Sequence, residues 1–199
     1  EVLSMMSAGD SMVAMVSVDS LIAAKQKTQP WMKPGSKITY VISMISVKTQ
    51  EQITKEKNMA SSEQMAIDEK LILKYLADNK IVGAKKTASG LYYIMRQPGK
   101  GENAKAGQTV YVNYTGRTLD GNAFDSSVDP KFNHVEPLSF LLGRGNVIQG
   151  WDEGIALLNK GGKATLYIPS PLAYGKNSPT AAIPANSVLI FDVELIDAK

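Results

Sequence analysis

The sequence has no cysteine and a single histidine, His134, among its 199 residues. Disulfide bonds, thiol nucleophiles, histidine-dependent triads and zinc sites are therefore all but excluded. No apolar run approaches the length of about 20 residues with which a helix crosses a bilayer. Basic residues form no run either, and 22 lysines and arginines against 19 acidic residues leave a net charge of +3. This composition is typical of a soluble globular protein without a nucleic acid partner, and we expect neither a metal nor a cofactor.

The N-terminal part differs in composition from the rest, because every methionine lies at or before Met95. The chain also begins at Glu1, without methionine, and enters apolar sequence at once. We therefore expect two parts with different histories, cut from a longer protein whose targeting segment is not included.

Strand and helix patterns divide the chain into three segments. Apolar residues alternate with others, as in strands, at Met12, Ala14 and Val16 and again at Ile38, Tyr40, Ile42 and Met44. Residues 49–79 carry a helical pattern, and capping boxes fit at both Thr49 and Ser61, which leaves one helix or two open. We predict a partial β-rich domain over residues 1–48, a connecting helical segment over 49–84 and a larger domain over 85–199.

The C-terminal segment has clear strand signals around one short helix. Apolar residues alternate at Val110, Val112 and Tyr114, at Ala164, Leu166 and Ile168, and from Leu189 to Leu195. Asp120-Gly121 is a strong hairpin turn, whereas residues 97–107 read as a polar loop. The pattern predicts an α+β fold in which an antiparallel sheet packs its apolar face on the helix.

An internal repeat links the two ends of the chain. The matched blocks are residues 5–21 with 157–173 and residues 35–45 with 186–196. Gly9 falls opposite Gly161 and Tyr40 opposite Phe191, with nearly the same spacing between blocks in both copies. We interpret the N-terminal segment as the back half of a second, degenerate copy of the C-terminal domain.

One stretch, residues 138–155, combines Trp151 with four glycines, which is unusual because glycine weakens a helix. Trp151, Ile155 and Leu158 nevertheless fall at i, i+4 and i+7 and share one helical face. On this stretch alone, the indole is either ordinary core or the floor of an apolar pocket.

Five blocks settle that alternative in favour of the pocket. They are VYVNYTG at 110–116, GNAFDSS at 121–127, FLLGRGNVIQGWDEG at 140–154, AYG at 173–175, and IP at 183–184 with the strand at 189–195. In this order and spacing they resemble the FKBP-type peptidyl-prolyl cis-trans isomerases over residues 107–196. The resemblance implies a half-barrel of antiparallel sheet wrapped on the Trp151 helix, with the active groove between helix and sheet.

The resemblance also assigns the residues of that groove. Its positions fall on Tyr114, Phe124, Asp125, Leu138, Val147, Ile148, Trp151, Tyr174, Ile183 and Phe191. Trp151 would lie under the proline ring, and the walls would be Tyr114, Phe124 and Phe191. The aliphatic rim would be Val147, Ile148 and Ile183. The Tyr174 hydroxyl and the Ile148 backbone N–H would donate to substrate carbonyls. Asp125 would polarise or orient the amide with help from Tyr114; the alternative is a loop cap on Ser126 and Ser127.

Several positions depart from the family pattern. Leu138 replaces a frequent aromatic residue, and Pro179 and Ala182 alter the loop after Tyr174. The basic residue that often pairs with the pocket aspartate has no clear counterpart. Lys131 is the nearest candidate, whereas we expect His134, in the long segment 128–136, to be a surface residue.

The sequence therefore predicts a prolyl isomerase, for which no nucleophile or metal is needed. The alternatives are a module that binds proline-containing segments without turnover, and an assembly element whose N-terminal strands pair between chains. We expect the partners to be proline-containing polypeptide clients. The sequence leaves open whether macrolide inhibitors bind and whether the chain forms a homodimer. The arrangement of two domains joined by a helix resembles exported bacterial members and favours an envelope location.

Overall fold

The computed structural model describes residues 2–199 as two compact units, one ending at Lys57 and the other spanning Asn58–Lys199. Within this described part, every helix is too short or too polar to traverse a lipid bilayer.

The first unit is built on two antiparallel strands that are joined by a segment with a helix; we call such a strand pair a hairpin here. A 3-10 turn at Val2–Met5 precedes strand β1 (Ser11–Ser17), helix α1 (Val18–Ala23) and strand β2 (Lys37–Ser43). The two strands pair antiparallel and form a two-stranded sheet within the described residues. Alternate side chains of β1 are exposed and half-buried, as the period of two predicted.

Helix α2 (Gln50–Asp78) is one continuous helix that begins in the first unit and ends in the second. The capping box at its start is present, because Thr49 Oγ1 accepts from Gln52 N–H at 3.2 Å and Gln52 Oε1 accepts from Thr49 N–H at 2.9 Å. Ser61 lies inside the helix, which resolves the alternative in favour of a single helix. In the second unit, α2 buries Ile72 and Leu76 against Tyr92 and Tyr167 on the outer face of the sheet.

An antiparallel sheet forms the frame of the second unit. Its strands are β3 (Lys85–Lys86), β4 (Tyr92–Gln97), β6 (Thr109–Thr118), β7 (Ala123–Ser126), β8 (Leu138–Leu141), β10 (Lys163–Ile168) and β11 (Leu189–Ala198). The order is β3-β4-β10-β11-β6-β7, with β8 also paired to β6. Gly121, at φ +87°, lies in the predicted turn between β6 and β7.

The polar loop predicted over residues 97–107 is wrong in part. Strand β5 (Lys100–Asn103) lies there and pairs with β9 (Asn159–Lys160). The sequence KGEN has few residues that favour strands, so only the tertiary pairing reveals it.

Helix α3 (Gln149–Ala156) packs on the inner face of the sheet. Gly150 and Gly154 permit the close approach, since a Cβ atom on either would lie 2.5 Å from the Ile168 or Leu166 side chain of β10. Ile155, Leu158 and Leu166 are fully buried in the core that results. The fold is the predicted α+β arrangement of an antiparallel sheet on a short helix.

The hairpins β1–β2 and β10–β11 share one register. Ser11 pairs with Ser43 and Val16 with Ile38 in the first, and Lys163 pairs with Glu194 and Ile168 with Leu189 in the second. These pairs correspond under the sequence repeat. The preceding glycines correspond too, because Gly9 N–H donates to Met44 O and Gly161 N–H donates to Leu195 O, both at 2.7 Å.

Candidate active site

Trp151, in the first turn of α3, lies at the centre of an aromatic cluster and is only 3% exposed. Its ring centroid is 5.1 Å from that of Tyr114 on β6, 5.2 Å from Phe191 on β11 and 5.9 Å from Phe140 on β8. The rings of Tyr114 and Phe191 meet the indole edge to face, a favourable aromatic geometry. Phe124 of β7 extends the cluster through Phe191, at a centroid distance of 5.6 Å. We call this region, bounded by Tyr114, Phe124, Trp151 and Phe191, the Trp151 groove.

Gly116 of β6 leaves the space in which two of these rings lie. A Cβ atom at this position would lie 2.6 Å from the Phe191 ring and 2.7 Å from the Phe124 ring. The glycine in the VYVNYTG block is therefore required for the width of the aromatic wall.

The aliphatic side of the groove comes from the loop that precedes α3. Val147 and Ile148 are half-buried and pack against the same core as Trp151, and Ile183 is buried in that core. Asp152 holds the loop, because its carboxylate accepts from Gly143 N–H at 2.8 Å and from Gly145 N–H at 2.9 Å. The sequence analysis did not predict this contribution of Asp152. The available signal was an acidic residue in the first turn of a helix that follows a glycine-rich loop.

Asp125 forms the polar corner of the site. One carboxylate oxygen accepts from the Tyr114 hydroxyl at 2.6 Å, and the other accepts from Ser126 N–H at 2.9 Å. Asp125 thus contacts Tyr114 as the resemblance implied, and it also caps the backbone at Ser126.

The expectation that Lys131 is the basic partner of Asp125 is wrong. Lys131 forms an ion pair with Asp129 at 2.9 Å and lies over the Phe132 ring, and so it is directed to its own loop. His134 is a surface residue, as expected, with a side chain that is 46% exposed, and its Nε2 lies 2.7 Å from the Asp125 carboxylate. No pattern in the sequence indicates this contact, because it depends on how the loop folds back across nine residues.

Two tyrosine hydroxyls at the groove stay protonated at neutral pH. Burial raises the pKa of Tyr114 far above its ordinary value, and the hydrogen bond to Asp125 raises it further. Burial also raises the pKa of Tyr174, as does the negative charge of Asp125. The Tyr114 phenol therefore keeps the proton that it donates to Asp125, and the Tyr174 phenol keeps one that it can donate to a ligand.

Two of the other predicted residues are more exposed to solvent than the aromatic cluster. Leu138 of β8 and Tyr174, in the loop after β10, are each 39% exposed. Phe140, which shares a strand face with Leu138 because side chains alternate, is the β8 residue that contacts Trp151. Phe140 lies in the block FLLGRGNVIQGWDEG, which carries the family resemblance, but it was not assigned to the groove from sequence.

The groove offers polar donors without internal partners. Among residues 2–199, the buried Trp151 Nε1–H has no acceptor, and none is found for the Ile148 backbone N–H or the Tyr174 hydroxyl. Buried donors without acceptors are uncommon in folded proteins and often mark functional sites. Apolar walls with a few unused donors suit a short, uncharged peptide segment.

Comparisons with known proteins agree with this geometry. The profile of the family described as FKBP-type peptidyl-prolyl cis-trans isomerase matches residues 100–196. FKBP-type peptidyl-prolyl cis-trans isomerase FkpA of Escherichia coli (strain K12) is 49% identical over 117 residues, which are 59% of this chain and 41% of the relative. FK506-binding protein 4 of Rhizopus delemar is 46% identical over 114 residues, 58% of this chain and 28% of that protein. The chain thus spans less than half the length of either curated relative.

A solved structure extends the similarity beyond the second unit. The crystal structure of FkpA from Escherichia coli covers 92% of this chain, and 83% of that chain is covered, with 33% identity and a TM-score of 0.57. The helix α2 joins an N-terminal region to the domain that contains the Trp151 groove. On these matches, the chain belongs to the FKBP-type peptidyl-prolyl cis-trans isomerases.

Proposed function

We propose that this protein is a peptidyl-prolyl cis-trans isomerase that acts on X-Pro bonds of polypeptide clients and assists their folding. The observation that carries the proposal is the aromatic Trp151 groove with the hydrogen-bonded Tyr114 and Asp125 pair beside it.

The reaction suits an apolar site. Amide resonance holds the C–N bond behind a barrier of roughly 18–20 kcal/mol, and uncatalysed X-Pro exchange takes on the order of tens to hundreds of seconds. Twisting the bond removes the resonance and much of the amide dipole. A groove that excludes water therefore favours the twisted amide over the planar one.

Each groove residue has a proposed part in this step. Trp151 lies under the proline ring, and Tyr114, Phe124 and Phe191 form the walls. The aliphatic rim consists of Val147, Ile148 and Ile183, and Leu138 takes a wall position. The Tyr174 hydroxyl and the Ile148 N–H donate to client carbonyls, and Asp125 orients the bound amide.

The test is the rate of cis-to-trans exchange in short X-Pro peptides with several X residues. Asp125→Ala should lower kcat/KM by about 10- to 100-fold, as expected for hydrogen bonds to a charged group. Tyr174→Phe should lower it by about 2- to 10-fold, as expected for one neutral hydrogen bond. Tyr111→Phe, on the same strand as Tyr114 but half-buried beside Lys199, is the matched control and should leave the rate unchanged. If folded wild type does not accelerate exchange for any X, the isomerase proposal is wrong.

The second candidate function is to hold proline-containing segments without turnover, with the first unit adding a client-binding or dimerisation surface. The exposed apolar side chains of β1 and β2, Val13, Met15 and Val41, favour it. Its test is a binding titration followed by tryptophan fluorescence in a Trp31→Phe variant, which leaves Trp151 as the single tryptophan, together with a mass measurement in solution. Binding without exchange would select this function, and a dimer dissociated by Val41→Lys would place the contact on the hairpin.

For the domain organisation, we propose a degenerate FKBP-like half-domain over residues 1–48, a connecting segment over 49–84 and the isomerase domain over 85–199. The common register of the two hairpins supports it. Limited proteolysis that left residues 85–199 as a stable core would agree with these boundaries, whereas early cleavage between β6 and β11 would contradict them.

Two finer proposals follow from the relatives. FkpA relatives are bacterial, and we propose an envelope location, which fractionation of cells making the native protein would test. One relative is named FK506-binding protein 4, and we propose that the Trp151 groove takes macrolides of that class. Loss of exchange activity on addition of FK506 would support this, and full activity at saturating inhibitor would overturn it.

A further inference from the structure

His134 and Asp125 form an isolated pair at the edge of the Trp151 groove. The imidazole Nε2 lies 2.7 Å from one Asp125 oxygen, and the Tyr114 hydroxyl donates to the other oxygen at 2.6 Å. The side chains of His134 and Asp125 are 46% and 39% exposed, so both remain in contact with solvent. The carboxylate is thus held from two sides, by a groove residue and by the loop between β7 and β8.

That loop is folded around Ser126, which fixes where His134 can reach. The Ser126 hydroxyl accepts from Val128 N–H and Asp129 N–H, both at 3.2 Å. Asp129 in turn accepts from Lys131 N–H at 3.1 Å. The chain therefore turns back immediately after Asp125, and His134 returns to it nine residues later.

The other charged or titratable groups near the pair do not replace the imidazole. They are Tyr114 of β6, Tyr174 in the loop after β10, and Asp129, Lys131 and Glu136 in the loop of His134 itself. Tyr114 and Tyr174 are phenols whose pKa values are raised by burial, and they do not change charge near neutrality. Lys131 is paired with Asp129. Within the described residues, His134 is thus the basic side chain that contacts Asp125.

Histidine is the side chain whose ordinary titration lies between about pH 5 and 8, and this chain has one histidine and no cysteine. An imidazolium makes a charge-assisted hydrogen bond to a carboxylate that is roughly twice as strong as a neutral one. A fixed arginine or lysine would hold Asp125 equally at every pH in this range. A histidine holds it firmly only while protonated.

Building on the proposed isomerase function, we infer that His134 is a positioning residue for Asp125 and makes turnover in the Trp151 groove depend on pH. The protonated imidazole fixes the Asp125 carboxylate against Tyr114. As pH rises and the imidazole loses its proton, the carboxylate is held less firmly and kcat/KM falls.

The test compares kcat/KM for an X-Pro peptide from about pH 5.5 to pH 8 in wild type and three variants. Wild type should lose about 2- to 5-fold over this range, which is the loss expected when a solvent-exposed ion pair becomes a neutral hydrogen bond. His134→Arg should keep the acid-side activity at every pH, and His134→Gln should be flat at the low level. Lys131→Gln, a neutral replacement in the same loop, should keep the slope of wild type.

A readout independent of turnover separates this inference from the proposed function. In NMR spectra, the backbone amide signals of Asp125 and Ser126 should move with the titration of the single imidazole, and should stop moving in His134→Gln. If wild type catalyses nothing but these signals follow the imidazole, the isomerase proposal fails and the positioning contact stands. If the signals ignore the imidazole, or active wild type is flat across this range, the inference is overturned.

Discussion

At the scale of single residues, the loop that carries Val147 and Ile148 depends on one carboxylate. Asp152→Ala removes the acceptor of Gly143 N–H and Gly145 N–H, and the loop should lose its fixed position beside Trp151. We expect kcat/KM for an X-Pro peptide to fall by about 5- to 10-fold, which corresponds to a loss of about 1–1.4 kcal/mol of transition-state stabilisation. The measurement is the exchange assay at substrate concentrations below KM.

The matched control for this change is Glu153→Ala in the same helical turn. Glu153 accepts from the Ser89 hydroxyl and has no bond to the loop, so its removal should leave kcat/KM nearly unchanged. Equal rates in the two variants would show that other contacts hold the loop.

What the sequence could predict at this scale depended on whether the signal is local. Trp151, Ile155 and Leu158 share a helical face by spacing alone, and the aromatic positions of the groove could be assigned by family blocks. The contact between His134 and Asp125 is different, because it requires the three-dimensional path of an irregular loop. The hydrogen bonds to Asp152 likewise depend on Gly143 and Gly145, whose φ angles of +71° and +69° direct their N–H groups toward its carboxylate.

At the scale of elements, the distance between α3 and β10 is set by glycine. Gly154→Ala would place a methyl group 2.5 Å from the Leu166 side chain, and the helix or the leucine must move. We expect the second unit to lose about 1–3 kcal/mol of unfolding free energy, as overpacked cores do, with a lower urea midpoint. Gln149→Ala, at an exposed position of the same helix, should change stability by less than about 0.5 kcal/mol. Equal midpoints for the two variants would mean that the core accommodates the methyl group.

Elements were predictable where their own sequence specified them. The alternation along β6 and the Asp120-Gly121 turn gave the hairpin β6–β7, and Thr49 gave the start of α2. Strand β5 could not be predicted, since its formation depends on β9, more than fifty residues away.

At the scale of the whole molecule, the two hairpins have the same pairing register but differ in how deeply their side chains are buried. Tyr40 of β2 is 47% exposed, whereas its counterpart Phe191 of β11 is 4% exposed beneath α3. We expect the amides of β1 and β2 to exchange with deuterium much faster than those of β10 and β11, because local opening costs less where few apolar contacts are lost. Hydrogen exchange followed by mass spectrometry on the whole chain measures this. Equal protection would instead indicate that another polypeptide covers the first hairpin.

The equal register of these hairpins also bears on how the chain reaches its native state. Strand β11 pairs with β10 through backbone hydrogen bonds, and β1 pairs with β2 in the same register. We therefore expect β1 to compete with β10 for β11 after dilution from denaturant. Exchanged pairings can arise within one molecule or between two, as domain-swapped species. Synthesis from the N-terminus avoids the competition, because β1 and β2 emerge and pair long before β10 and β11 exist. We therefore expect exchanged pairings after refolding from denaturant and far fewer of them when the chain folds during synthesis.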